Sequence, residues 1–500
     1  MLPKTELYFN GLVWLSALLF ASYHVYEAGK YFEFSDYAED FEDGWLWNLK
    51  KDCADYEWQM WLNLLKSIYP WFFVHLIASE ITRWMFLEAV PICYFVTTIL
   101  VVLNAFGPEI CLIFISQVCL YYLALQTRST IVVWILSVLL LYAIYGFRYG
   151  LSYLLVSIGL TDHTLYLNTA VVSAWILLKC ISFCLDHING KARIEKNFDV
   201  FISLLGYTFY LPLFFLGPFM MYEDYENGVS RRFKIWNRER LASLTFNVLR
   251  YTFWMLVLDV FLHFFYIHAF EYKLDQLKEM GAWYLNGVVY YLALFFYIKY
   301  LAIYGLTGTL ARAENYDAPP PPACVCYMYC DSQLWRSFDI GFYSFMKRYI
   351  YDPVLGENKT FWRRLVASGV TFCYVFLWHG FSENIFLWSL LNFIELSLES
   401  IMRYISKTHM FQVWVNNTFS NNNQKRLLAL CFAPFSIFGI HFNAYMYCPG
   451  EGGGVINSQF LEGNWLFNFI FIILAYNFCI TAMEISRWKQ RKHLITTKYQ

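Results

Sequence analysis

The 500-residue sequence is short of charge. Asp, Glu, Lys and Arg make up 15% of it and nearly cancel, leaving a formal net charge of −1. Soluble domains carry about 25% charged residues, so this chain cannot cover a globular surface with polar groups and needs lipid over much of it. No basic run interleaved with stacking aromatics points to a nucleic-acid partner. The 13 cysteines include no C-x-x-C pair, which leaves neither a zinc ribbon nor a disulfide framework. A G-x-S-x-G elbow, a P-loop and a convincing G-x-G-x-x-G are missing, so hydrolase-elbow and nucleotide folds have no support. Internal repeats, the mark of a two-half transporter, are missing as well. The first apolar run, Tyr8–Tyr26, follows Glu6 and has no small-residue cleavage site, and reads as a retained signal anchor.

What is present is apolar and aromatic. Hydrophobic residues make up 59% of the chain, with 19 Trp, 40 Tyr and 48 Phe and a mean hydropathy of +0.40. Trp and Tyr settle where apolar and wet regions meet. A spanning helix needs ~20 mostly apolar residues, which places spans near Tyr8–Tyr26, Leu62–Ile81, Ala89–Phe106, Ile110–Leu125, Ile131–Phe147 and Leu165–Leu185. Further runs fall near Phe246–Phe270, Trp283–Tyr304, Leu365–Trp378, Ile385–Leu398, Leu427–Tyr445 and Trp465–Met483. The apolar stretch Phe198–Met221 is broken by Pro212, Gly217 and Pro218 and reads as re-entrant. The expected fold is all-α and polytopic, one domain over residues 1–500. Basic residues set orientation: Arg231–Arg240, Lys347–Arg364 and the tail Arg487, Lys489, Arg491 and Lys492 would face the cytosol, and the acidic stretch Glu33–Asp55 the lumen.

An ionisable residue inside a span is costly and therefore a functional suspect. His379 ends a charge-free run, and a neutral imidazole there can accept a proton from an attacking amine or hydroxyl. Asp339 lies forty residues upstream in an aromatic, amphipathic stretch beside Arg336. Asp259 and His263 share a helical face at i, i+4 and can hydrogen-bond, but no third metal ligand accompanies them or His268. Cys324, Cys326 and Cys330 follow the stiff Pro319–Pro322 run and fit no usual zinc spacing. Taken alone, each of these residues favours a structural role over a catalytic one.

Together they form a pattern. Met1-Leu-Pro-Lys-Thr-Glu-Leu7, Leu49-Lys-Lys-Asp-Cys-Ala-Asp-Tyr-Glu-Trp58, Tyr210-Leu-Pro-Leu-Phe-Phe-Leu-Gly-Pro218 and Pro322-Ala-Cys324 come first. Trp335-Arg-Ser-Phe-Asp339, Trp378-His379-Gly380 and Leu387-Trp-Ser-Leu-Leu-Asn392 follow. Over nearly its whole length the chain resembles the membrane-bound O-acyltransferase family. The most specific element is Trp-His-Gly at the end of an apolar run, with a polar residue about forty positions upstream. An aspartate at that position, where many relatives carry asparagine, resembles the hedgehog-modifying branch.

The resemblance implies a bundle of roughly ten to twelve transmembrane and re-entrant helices around a tunnel, in the endoplasmic reticulum and Golgi membrane. Palmitoyl-CoA would enter from the cytosol, and a secreted hedgehog-type protein from the lumen. Palmitate would pass to the α-amine of that protein's N-terminal cysteine. By the same resemblance His379 is the base, Asp339 an orienting or proton-accepting group, and Trp335 part of the tunnel wall. Arg250 and Arg336 would contact the CoA phosphates, and Cys324 would give a thiolate to a structural haem. Phe215-Leu216, just before Gly217-Pro218, looks closer to catalytically silent relatives of that branch. The alternatives are therefore a silent membrane regulator, or an acyltransferase acting on a lipid or on serine.

Overall fold

The structure, a computed structural model, describes residues 2–30, 40–146, 150–157, 159–192, 197–271, 274–448 and 450–498. Positions 33–39 of the acidic stretch and the side chain of Lys492 lie outside the described residues.

Helices begin where the sequence supplies capping side chains. Asp55 accepts from the Trp58 amide (2.8 Å), Asp162 from Thr164 (2.8 Å) and Asn237 from Arg240 (2.8 Å), opening the helices Tyr56–Met85, His163–Ile188 and Arg238–Phe261. Each bond satisfies an amide that the first helical turn leaves without a partner. Inside the membrane such groups have no water to turn to.

Among the described residues, eight helices are long and apolar enough to cross a membrane: Leu87–Phe106, Pro108–Gln126, His163–Ile188, Arg238–Phe261, Trp283–Ala313, Glu383–Ser406, Asn421–Tyr447 and Trp465–Arg491. The expected spans near Tyr8 and Leu62 fall in long helices, Lys4–Gly29 and Tyr56–Met85, and the one near Leu365 in Phe361–His379. These three helices carry more polar residues and do not join the eight. The Thr130–Tyr145 helix has 16 residues, about 24 Å at 1.5 Å per residue, short of the ~30 Å hydrocarbon core.

Similar hydropathy hides different positions. The most apolar window of His163–Ile188 is 83% buried and that of Arg238–Phe261 only 11%. The first is a central post and the second faces outward. The Phe198–Met221 stretch is a helix Asn197–Thr208 and a single 3-10 turn Leu211–Leu213, almost wholly buried. Protein encloses this non-helical backbone, which is the condition for keeping it at membrane depth.

The main strand element is a hairpin, Phe41–Asp43 paired antiparallel with Lys50–Asp52. Here the i, i+4 expectation needs correcting. His263 Nδ1 donates to the backbone oxygen of Asp259 (2.7 Å), not to its carboxylate. That carboxylate instead receives Lys51 Nζ (2.6 Å) and Trp45 Nε1 (2.6 Å) and ties the helix end to the hairpin. Among the described residues no group of three or more His, Cys, Asp or Glu is placed to hold a metal.

Candidate active site

A cavity of about 670 Å3 runs between the helices, within the ~300–1,000 Å3 of small-molecule pockets. His379 and Asp339 both line it.

The Phe361–His379 helix brings His379 to the cavity at its last residue. Gly380 follows at φ +115°, a conformation that side chains disfavour, and turns the chain away at once. His379 Nδ1 donates to the Val375 carbonyl (2.8 Å). That bond fixes the tautomer and leaves the Nε2 lone pair as the acceptor. Three aromatic rings clamp the imidazole, with centroids at 4.8 Å for Trp378, 5.0 Å for Trp388 and 5.8 Å for Phe342.

Asp339 caps the short Ile340–Met346 helix, taking the Phe342 amide on Oδ1 (2.8 Å) and the Tyr304 hydroxyl on Oδ2 (2.9 Å). Phe342 thus links the two sites, its amide on Asp339 and its ring against His379. Burial pushes the Asp339 carboxyl above its ordinary range, and the two donors work against that shift. Gly341 lets this turn sit against the re-entrant segment, because a Cβ there would overlap the Phe219 carbonyl oxygen.

Two Trp–Asn pairs hold the far wall. Trp335 Nε1 donates to Asn392 Oδ1 (3.1 Å) and Trp388 Nε1 to Asn443 Oδ1 (2.8 Å). Both indoles are satisfied and point their apolar faces at the cavity, which suits a hydrocarbon chain. Arg336 is exposed and belongs to the lining.

Arg250 does not. It is exposed on the outward-facing Arg238–Phe261 helix, over the ring of its neighbour Tyr251 (5.4 Å), and takes no part in the cavity lining. The cation that joins Arg336 is Lys347, at the start of a π-turn Lys347–Tyr351. Such turns often mark functional sites. In the sequence Lys347 counted only as a vote on orientation.

Other residues of the site were also missed. Glu57, Tyr300 and Tyr304 line the cavity. Tyrosines four apart in an apolar run look like core, and only the side-chain bonds show otherwise.

Cys324 sits beside a second, smaller cavity of about 180 Å3, walled by Trp14, Tyr290, Met328 and Phe478. A hydrogen bond from Cys326 and the positive charge of Lys489 hold the Cys324 thiol below its usual range, against the effect of burial. That is thiolate chemistry suited to a haem iron. The sulfur that lines this cavity, however, belongs to Cys326. At its present size the space falls below that of usual ligand pockets, so a macrocycle would have to widen it. The donor chemistry suits the group, but the space beside it does not hold a macrocycle.

The arrangement is that of a multi-pass membrane protein with a mostly apolar internal cavity, a single-tautomer imidazole and a supported carboxylate. The sequence profile described as "MBOAT, membrane-bound O-acyltransferase family" matches residues 118–441, and the chain belongs to that family. It is 26% identical to the protein-cysteine N-palmitoyltransferase HHAT of Mus musculus, over 98% of this chain and 99% of the relative. It is 24% identical to the protein-cysteine N-palmitoyltransferase Rasp of Drosophila melanogaster, over 85% and 83%. It is 27% identical to the protein-cysteine N-palmitoyltransferase HHAT-like protein of Mus musculus, over 86% and 85%.

Proposed function

We propose that this acyltransferase moves palmitate from palmitoyl-CoA to the N-terminal cysteine amine of a secreted, hedgehog-type protein. The observation that carries the reading is one apolar cavity holding His379 with its Nε2 lone pair and Asp339 with two donors. The names of two relatives matched over most of the chain support the substrate class.

The steps follow from the residues. The acceptor's α-amine has a pKa near ~8, so its neutral form is accessible. Its nitrogen attacks the thioester carbon, the C–N bond forms and the C–S bond breaks. The amine proton passes to His379 Nε2 and on to the departing CoA thiolate. Asp339 orients the amine. A thioester is already activated, so alignment in a water-poor cavity supplies much of the rate. Arg336 and Lys347 meet the CoA phosphates, and the Trp335 and Trp388 faces pack on the acyl chain. The setting is the endoplasmic reticulum and Golgi membrane, with the CoA side cytosolic.

A second reading, a silent relative, draws on Phe215-Leu216, which looks closer to catalytically silent members of the branch. The test is label transfer from palmitoyl-CoA to a peptide with N-terminal cysteine. Transfer that survives neutral hydroxylamine is the amide expected. A hydroxylamine-labile product means a thioester, and no transfer at all favours the silent relative.

A further inference from the structure

Lys347 enters the cavity from the π-turn Lys347–Tyr351, and a π-turn is a rare local conformation. Its residues divide between two sides. Lys347 and Tyr351 line the cavity, together with Tyr343 and Met346 of the preceding helix. Arg348 and Tyr349 turn instead to the central post His163–Ile188.

Both meet one side chain there. Asp186 Oδ1 accepts from Arg348 Nη2 (3.0 Å) and Oδ2 from the Tyr349 hydroxyl (2.9 Å). One helical turn earlier on the same face, the Ser182 hydroxyl lies 3.0 Å from that of Tyr349 and accepts the Tyr222 amide (3.1 Å). With Tyr349 donating to Asp186, Ser182 donates to Tyr349, and both hydroxyl protons have a place. The Asp186 side chain is 1% exposed. A carboxylate so enclosed is costly without donors, and two successive residues of the turn supply them. Glu223 takes the other terminal nitrogen of Arg348 (2.5 Å), but from an exposed position, where an ion pair fixes little.

Lys347 can exchange its present partner. Its ammonium pairs with Asp352 (2.9 Å), where the two side chains are 52% and 46% exposed, and phosphate oxygens can replace so weak a contact. Whether the ammonium reaches them depends on the direction in which the turn sends the side chain.

We propose that Asp186 is a positioning residue for donor binding. By holding Arg348 and Tyr349 against the post, it aims Lys347 at the CoA phosphates. Asp186 is not part of the cavity lining and acts only through the turn. This rests on the phosphate-contact reading of Lys347 above.

The experiment measures binding to the full-length protein in detergent. The probes are labelled palmitoyl-CoA and labelled palmitoyl-pantetheine, which carries the same thioester without the phosphates. The unmodified protein should prefer palmitoyl-CoA. Asp186→Asn keeps the shape of the side chain and loses its charge. It should weaken palmitoyl-CoA binding ~10-fold, the weight of one charge-assisted contact, and leave palmitoyl-pantetheine unchanged. Lys347→Ala should do the same, and the double variant should bind no more weakly than Lys347→Ala alone, because both residues act through one contact. If Asp186→Asn does not fold, Tyr349→Phe, which removes one of the two donors, should weaken palmitoyl-CoA several-fold and again add nothing to Lys347→Ala. Equal weakening of both probes, as a general structural role would give, overturns the proposal, and so do additive losses or unchanged binding. Equal affinity of the unmodified protein for the two probes would instead overturn the phosphate-contact reading itself.

Discussion

The two cavities hold their polar groups in opposite ways. In the larger one, His379 and Asp339 have their partners assigned and still face about 670 Å3 of open volume. At the smaller one, the Cys324 thiol has partners nearby, but a different cysteine, Cys326, faces a space about a quarter as large. A catalytic centre needs both a group held in one protonation state and room for the reacting atoms. Of these two, the larger cavity supplies both together, and the proposed chemistry belongs there.

The strongest way to break this contrast is to remove the imidazole. His379→Ala should lower palmitoyl transfer by ~10²–10⁴-fold, the usual weight of a general base, while acyl-CoA binding in a filter assay persists. Full activity would move the reaction elsewhere. Asp339→Asn keeps the size of the side chain and its bonds to Phe342 and Tyr304 in outline but loses the charge. Turnover should fall by ~10²-fold, the lower end of acid–base contributions, with little change in the KM for palmitoyl-CoA.

Two cations sharpen the picture further. Lys347→Ala should raise the KM for palmitoyl-CoA ~10-fold through one lost phosphate contact. Arg250→Ala should stay within ~2-fold, because an exposed side chain on an outward-facing helix has no part in the cavity. Equal effects in the two variants would contradict the assignment of Lys347.

The smallest expected effect belongs to the second cavity. Cys324→Ala should remove any Soret absorption of the purified protein, Cys326→Ala should leave it, and transfer should change by less than ~2-fold in both. A Soret band lost with Cys326 instead would give that sulfur the iron.

Much of this was legible in the sequence. Low charge and ~20-residue apolar runs announced a helical membrane protein, and Pro212, Gly217 and Pro218 marked an apolar stretch that is broken rather than one continuous helix. His379 and Asp339 stood out because an ionisable group is rare in such surroundings. What stayed hidden was azimuth. Hydropathy counts apolar residues without saying which face meets lipid, so the helix of Arg250 and the buried post His163–Ile188 looked alike until packing separated them. Pairings across the chain were equally invisible. Glu57 meets Lys299 and Tyr300 over more than 240 positions, and Trp335 meets Asn392 from another helix. The carboxylate of Asp259 was misassigned for a related reason, since i, i+4 spacing could not foresee the competing hairpin.

The most direct test of the central claim is one incubation. Detergent-purified protein is mixed with labelled palmitoyl-CoA and an N-terminal-cysteine peptide, and the product is treated with neutral hydroxylamine. Label that stays on the peptide with the unmodified protein, and never reaches it with His379→Ala, is the predicted result. Label released by hydroxylamine, or transferred equally by His379→Ala, would contradict the account.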